Sequence, residues 1–291
     1  MKILCDIETN DINSYIENGA DAFILYLKDY SVGTNTYFEL DDIKKIVTKY
    51  DKEFFISINK NMFNKDLNHL EEILISLSKL PIKGVIFYDM SILQIKRKNN
   101  LNINLVWNQE HMTTNYNTCN YYYDRGVKYS YLSSEIMLNE MIEIKENSNV
   151  IPLVLVVGRN FVAHSRRKLI TNYYNDLKEA GKNKLEILEK ISNDTYTIVE
   201  NQNGSSFSLN KIMNGTSIIK ELYENKFPYI ILKESGIDKK TFLQLISDTK
   251  NYIKNNCKSS LYIEKYKNIL GDYTGFLFKK TIYKVKSNEK N

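Results

Sequence analysis

AFILYLKDYSVGTNTYFELDDIKKIVTKYDKEFFISIN, residues 22–59, contains one complete strand–helix–strand unit. The runs at 22–27 and 53–59 are apolar at almost every position, which is typical of strands buried on both faces of a parallel sheet. Between them, residues 40–50 repeat apolar side chains at the three- and four-residue spacing of an amphipathic helix. The stretch therefore predicts a parallel βαβ unit.

The same alternation recurs along most of the chain. Eight short apolar runs are each followed by a polar residue and, in most cases, by a helical pattern; they lie at 2–7, 22–27, 53–59, 83–89, 103–108, 129–134, 152–158 and 229–234. Repeated parallel units of this kind predict a (β/α)8, TIM-barrel-like α/β fold, complete or distorted.

One segment breaks this rhythm. Residues 195–213 resemble a β-hairpin that turns at Asn203-Gly204, inserted before the last barrel unit. We expect a barrel domain over residues 1–255 with this insertion. Residues 256–291 should form a largely helical C-terminal extension that packs on the barrel.

Composition narrows the class of protein. Hydrophobic residues make up 43% of 291 residues, yet no apolar run is long enough to span a membrane. The N-terminus lacks a signal-peptide pattern, so we expect a cytoplasmic protein without a membrane partner. Three distant cysteines argue against a disulfide framework or a CxxC metal site, and we expect no metal and no cofactor. The net charge of +5 permits RNA binding, although most lysines fit a solvated surface equally well.

Polar side chains follow nearly every predicted strand. In a βα barrel the reactive groups lie where the strands end, at the mouth of the barrel. The strand-end residues with suitable side chains are Glu8, Asn59, Asp89, Asn108, Glu110, Glu135, Arg159 and Glu234. We expect the carboxylates among them to converge with Arg159, although a residue of this kind taken singly is more often a structural cap.

The arginines are unevenly distributed. The chain has five, and Arg159, Arg166 and Arg167 fall within nine residues of one another, around His164. A guanidinium grips a carboxylate or phosphate with two hydrogen bonds, which lysine cannot do. The group therefore predicts a site for an anionic small molecule, peptide or RNA, or alternatively an internal salt-bridge network. The candidate acid–base groups are His164, Glu110 and Glu135, with a plain hydrogen-bonding role as the alternative for His164.

The ordered series of segments resembles peptidase family U32, the collagenase-like proteins. The segments that carry the resemblance are IENGADAFILYL, LPIKGVIFYDMSILQIKRK, INLVWNQEHMTTN, GRNFVAHSRRKLITNYYN, TIVENQNGSSFSLNKI and YIILKESGID, and they cover roughly residues 1–255. The fourth lies where the family has the motif HGALCVSYSGRCLLSNY. This alignment adds Ser165, Asn172 and Tyr173 to the arginines as candidate substrate-binding residues.

The chain departs from the family at the cysteines. Two positions that carry cysteine in the family motif are Phe161 and Lys168 here. Some relatives assemble four cysteines around an iron–sulfur cluster and hydroxylate RNA bases or quinone precursors, so the resemblance without those cysteines predicts no cluster. Three functions remain open: a peptidase-like hydrolase, an RNA-modification protein of the hydroxylation type, and a non-catalytic partner of a cysteine-bearing paralogue. None of the common hydrolase or phosphate-binding motifs is present.

Overall fold

The computed structural model describes residues 1–109 and 112–279. Within these residues, eleven strands form one sheet: β1 Lys2–Asp6, β2 Ala22–Tyr26, β3 Glu53–Ile58, β4 Gly84–Phe87, β5 Leu105–Trp107, β6 Tyr129–Tyr131, β7 Ile151–Ser165, β8 Lys184–Glu189, β9 Asp194–Asn201, β10 Gly204–Asn214 and β11 Tyr229–Lys233. Strands β1 to β7 pair in parallel in chain order, and β11 pairs in parallel with both β1 and β7. The eight parallel strands therefore close into a barrel, which confirms the predicted (β/α)8 fold.

Helices follow the strands and cover the barrel. They are α1 Ile12–Glu17, α2 Leu40–Lys49, α3 Leu67–Leu77, α4 Ser91–Lys98, α5 Tyr116–Tyr123, α6 Leu138–Asn147, α7 Leu169–Leu177, α8 Ile219–Glu224, α9 Lys239–Lys254 and α10 Ser260–Leu270, with short 3-10 helices at Asn64–Asp66 and Thr216–Ile218. The apolar face predicted for α2 is buried at Ile43 and Val47. Within the described part of the chain, no helix has the length and apolar character needed to cross a membrane.

The barrel interior and its outer layer form two separate cores. Inside, the rings of Phe55, Tyr129 and Tyr229 meet edge to face at centroid distances of 5.5 to 6.4 Å. Alternate residues of the same strands point outward and pack under the helices. Large aromatic side chains thus fill the barrel below its mouth, and only the last inward-facing residues of the strands are open to polar chemistry.

The insertion is larger than predicted. The hairpin of β9 and β10 turns between Asn201 and Gly204, as expected. However, β7 does not end at Arg159: it continues to Ser165 and pairs antiparallel with β10, while β8 adds a further strand beside β9. Helix α7 lies between β7 and β8 in the chain and packs on β9 and β10. The arginine-rich segment is therefore mostly strand, in an arm that rises from the barrel.

The C-terminal segment packs on the barrel as far as it is described. The buried ring of Tyr266 on α10 belongs to the outer core. The backbone nitrogen of Asn214 donates to the carbonyl oxygen of Tyr273 at 2.7 Å. The backbone nitrogen of Leu138 donates to the carbonyl oxygen of Leu277 at 3.2 Å. The last residues of the predicted extension, 280–291, lie outside the described residues.

Candidate functional site

A buried ion pair lies inside the barrel just below the mouth. Asp6 ends β1 and Lys233 ends β11, and the Lys233 Nζ lies 3.6 Å from the Asp6 Oδ2. The same oxygen accepts a 2.7 Å hydrogen bond from the Tyr26 hydroxyl. Burial raises the pKa of Asp6, and the neighbouring lysine and tyrosine offset only part of that effect. Sequence analysis did not identify Lys233. Side chains two positions apart share one face of a strand, so residues 229, 231 and 233 all lie on the inward face, and this spacing could have pointed to it.

The predicted strand-end residue Glu234 is also buried, but it points outward from the barrel. Its Oε2 accepts hydrogen bonds from the backbone nitrogen of Glu8, at 2.7 Å, and from the Tyr15 hydroxyl, at 2.6 Å. Burial raises the pKa of Glu8, and the nearby Asp6 carboxylate raises it further. Glu234 therefore links the loops after β1 and β11 through its Oε2.

Arg159 is the predicted residue that reaches the mouth. Its side chain lies against Gly236, where any Cβ atom would overlap the guanidinium. Its Nε is buried without a hydrogen-bond partner among the described residues. It lines a cavity of about 40 Å³ together with Glu8 and Ser235, and a second of about 20 Å³ beside Lys233. The second cavity has room for little more than a water molecule.

The β9–β10 turn closes much of the space above the mouth. The Asn203 Nδ2 donates to the Ser31 carbonyl oxygen at 3.0 Å, and the Gln202 Nε2 donates to Asp29 at 2.6 Å. Asn201 Nδ2 likewise donates to the Tyr37 hydroxyl at 2.8 Å. All three contacts join the turn to the loop between β2 and α2. The hairpin is therefore a cover on the mouth, and none of these contacts follows from local sequence pattern.

His164 belongs to the arm and not to the inside of the mouth. Its Nε2 lies 3.2 Å from the carbonyl oxygen of Asn203, so it serves as a hydrogen-bond donor there. Burial lowers the pKa of His164, and the nearby Arg166 guanidinium lowers it further. The ring is thus neutral near pH 7. The next residue, Ser165, accepts a 3.2 Å bond from the backbone nitrogen of Arg167.

Arg166 and Arg167 are exposed and directly follow the end of β7 in the arm. The Cζ of Arg166 lies 4.2 Å from the centroid of the Phe63 ring, on the loop that follows β3. Among residues 1–109 and 112–279, no carboxylate lies within 4.0 Å of a side-chain nitrogen of Arg159, Arg166 or Arg167. The predicted internal salt-bridge network is therefore absent from the described residues. The sequence reading also missed Phe63.

The remaining predicted residues have other surroundings. Both side-chain groups of Asn59 bond to the backbone of Val32, and Asp89 accepts from the backbone nitrogens of Met62 and Ser91. These two stabilise loops. The others are Asn108, which is buried with an unpartnered Oδ1 among the described residues, and the exposed Glu135, Asn172 and Tyr173. Glu110 lies outside the described residues. Asn172 and Tyr173 are on α7, in the arm.

The cysteines do not suit a cluster. Cys5 is in β1, Cys119 is in α5 and Cys257 follows α9, and all three are buried. Among the described residues, no three His, Cys, Asp or Glu side chains come close enough to hold a metal ion. Burial raises the pKa of Cys5 well above its ordinary value, and nearby carboxylates add to the effect. Phe161 occupies a position where the family carries cysteine. Its ring packs closely on Gly33, and a Cβ atom added at Gly33 would lie 2.7 Å from the ring.

Comparisons with known proteins agree with this architecture. The family model for peptidase family U32 matches residues 8–229. Over an alignment of 307 positions, the chain is 29% identical to tRNA hydroxylation protein P2 of Bacillus subtilis, covering 94% of this chain and 96% of the relative. Identity to tRNA hydroxylation protein P1 of the same bacterium is 22%, over 54% of this chain and 38% of P1.

A third relative is an uncharacterized protease of Methanocaldococcus jannaschii, 27% identical over 65% of this chain and 49% of that protein. The family match covers most of the chain and includes most of the segments that form the barrel. The chain belongs to peptidase family U32.

Proposed function

We propose that this chain takes part in tRNA hydroxylation as an RNA-binding subunit that works with a cysteine-bearing paralogue. The observation that carries this proposal is the end-to-end similarity to tRNA hydroxylation protein P2, which spans 94% of this chain and 96% of the relative. The similarity to the archaeal protease covers only about half of that protein. A relation over the whole length favours a shared role more than a shared barrel does.

The geometry supports a binding role. Arg166 and Arg167 are exposed and have no carboxylate partner among the described residues, which leaves their hydrogen-bonding edges available to phosphate. At the mouth, by contrast, Asp6, Glu234 and Asp89 already accept hydrogen bonds from protein donors. Of the described arginines near the mouth, Arg166 and Arg167 are therefore exposed cations that can meet a phosphate.

The cysteine arrangement supports a second subunit. Three buried cysteines in separate elements do not fit an iron–sulfur cluster, so we derive no catalytic step through one in this chain. P1 and P2 are two related proteins of one bacterium that carry the same activity in their names, which supports a pair of paralogues. In such a pair the cysteine-bearing chain would supply the redox centre, and this chain would hold the RNA.

Peptidase activity stays a prediction. His164 donates its Nε2 hydrogen to a backbone carbonyl, so its free acceptor is Nδ1. Incubation of the pure protein with casein and with unfolded collagen tests the prediction, and an Arg167→Ala variant is the control. Equal and negligible cleavage by both proteins would rule out a peptidase that depends on this site.

Complementation tests the proposed role. We would express this chain in a Bacillus subtilis strain that lacks P2 and measure hydroxylated nucleosides in its tRNA by mass spectrometry. The proposal predicts that the hydroxylated nucleoside returns. Its absence, with the chain expressed at the level of P2, would contradict an equivalent role.

A further inference from the structure

An exposed aromatic ring and several cations share one edge of the barrel mouth. We call Phe63, Lys65, Arg166 and Arg167 the rim platform. The Phe63 ring is 48% exposed, and the Arg166 guanidinium covers part of it at 4.2 Å. The Lys65 Nζ lies 5.9 Å from the same ring. The guanidinium lies over the ring, and both side chains are exposed to solvent.

A hydrogen bond and a close backbone contact hold the rim platform in place. The backbone nitrogen of Phe63 donates to the Asp66 Oδ2 at 2.9 Å, which fixes the loop after β3. On the other side, Gly204 packs directly against the backbone of Arg166, and a Cβ atom added at Gly204 would lie 2.8 Å from the Arg166 Cα. The ring therefore lies on the loop after β3, which is held by its own Asp66, and the guanidinium lies just after β7, where the backbone packs on the β9–β10 turn.

The local charge is positive. Lys65, Arg166 and Arg167 are exposed, and none of the three has a carboxylate within 4.0 Å among the described residues. Asp66, on the same loop as Phe63, is largely buried and is held by the Phe63 backbone nitrogen and by Lys60 at 3.8 Å. A polyanion with flat, stackable groups complements such a surface better than a protein partner does.

We propose that the rim platform binds a single-stranded segment of tRNA. A base stacks on the open face of the Phe63–Arg166 pair, and Lys65 and Arg167 contact the flanking phosphates. This proposal rests on the proposed function and adds the place where the RNA is held. The site lies beside the covered mouth, between the loop after β3 and the end of β7.

The chain contains a matched control on its opposite face. The Cζ of Arg125 lies 3.5 Å from the centroid of Tyr121, whose ring is 52% exposed. Both residues lie at the end of α5, shortly before β6 begins, and therefore near the bottom of the barrel. The pair has the same chemistry as Phe63 and Arg166 but should not face RNA bound at the mouth.

The test is tRNA binding measured by fluorescence anisotropy over a series of salt concentrations. An unmodified, labelled tRNA is titrated with the wild-type chain and with Phe63→Ala, Arg166→Gln, Tyr121→Ala and Arg125→Gln. We expect Phe63→Ala to weaken binding about tenfold without changing the salt slope. Arg166→Gln should weaken binding by a similar factor, because it removes the guanidinium on which the base stacks. The two variants at α5 should bind as the wild type does.

Three results would overturn the proposal: no tRNA binding by the wild-type chain, equal losses at Arg166 and Arg125, or no loss at Phe63 and Arg166. A loss of paralogue binding instead of tRNA binding would assign the surface to a protein. The proposed function fails separately, if deletion of the chain leaves tRNA hydroxylation unchanged. All four side chains are exposed, and thermal melting of each variant verifies that it folds.

Discussion

The Lys233 Nζ lies 3.6 Å from the Asp6 Oδ2, and both side chains are almost completely buried, at 12% and 6% exposure. The two residues end neighbouring strands of the barrel, β11 and β1, which pair in register at these positions. Removing one partner of a buried pair leaves an uncompensated group in a medium of low polarity.

We predict that Lys233→Met lowers the free energy of unfolding by about 3 kcal/mol near neutral pH. Without the lysine, the already raised pKa of Asp6 should rise further. The folded state then binds more protons than the unfolded state, so the loss should grow as pH rises through the Asp6 pKa. Urea unfolding at several pH values measures this.

Lys44→Met is the control for that experiment, because the Lys44–Asp41 pair is exposed and should contribute less than about 1 kcal/mol. Equal effects of the two substitutions would contradict a structural role for the buried pair.

The turn over the mouth depends on a glycine. Gly204 has a φ of +122°, and an added Cβ would overlap the backbone of Ser165 and Arg166. We predict that Gly204→Ala destabilises the protein by about 3 kcal/mol, from both strain and overlap. Gly126→Ala is the comparison, since Gly126 has a φ of +90° but its nearest neighbour is 3.7 Å away. It should cost about 1 kcal/mol. Similar losses for both glycines would mean that the close approach at Gly204 has no effect.

His164 should make stability depend on pH. Burial lowers its pKa below the ordinary value of 6.5, so the unfolded state binds more protons than the folded state just below that pH. The contribution of the neutral His164 ring to the free energy of unfolding is complete above pH 6.5. It is lost as pH falls through the pKa that His164 has in the folded state. We predict that His164→Gln reduces this acid loss, measured by urea unfolding at pH 7.5 and at lower pH. An unchanged difference between the wild type and the variant across that range would contradict a buried neutral ring.

Asn214 ties the insertion to the C-terminal segment. Its Nδ2 donates to the carbonyl oxygens of Tyr266 and Gly271, at 3.1 and 2.7 Å. Asn214→Asp would place a carboxylate oxygen against two carbonyl oxygens, and we predict a loss of about 3 kcal/mol, measured by urea unfolding. Asn225→Asp is the control because the Asn225 side chain is exposed and donates one bond. A loss at Asn214 no larger than at Asn225 would show that the segment after α9 is not integral to the fold.

The barrel could be predicted because its strands are simple. The run at 22–27 became β2 at Ala22–Tyr26, and the pattern at 40–50 became α2 at Leu40–Lys49. Buried strands on both faces and one-sided helices produce strong periodic signals. The arm was only partly predictable. Strand β8 has mixed polar and apolar residues with no clear alternation, and among the described strands it pairs only with β9.

The site was harder to predict than the fold. Arg159 was predicted as a strand-end residue, whereas β7 continues past it to Ser165, and its role in a site stays a prediction. Phe63 and Arg166 meet through the docking of the arm on a loop about 100 residues earlier in the chain, a contact that no local pattern encodes. The cover formed by Asn203 on Ser31 has the same origin.

If this chain takes part in tRNA hydroxylation as proposed, its loss should change the nucleosides of cellular tRNA. The most direct measurement compares the nucleosides of tRNA from the native host, from a strain lacking this chain and from that strain with the gene restored. We predict that the hydroxylated nucleoside disappears on deletion, that its precursor, lighter by one oxygen atom, accumulates in its place, and that restoration reverses both changes. Identical levels of both nucleosides in all three strains would contradict the account.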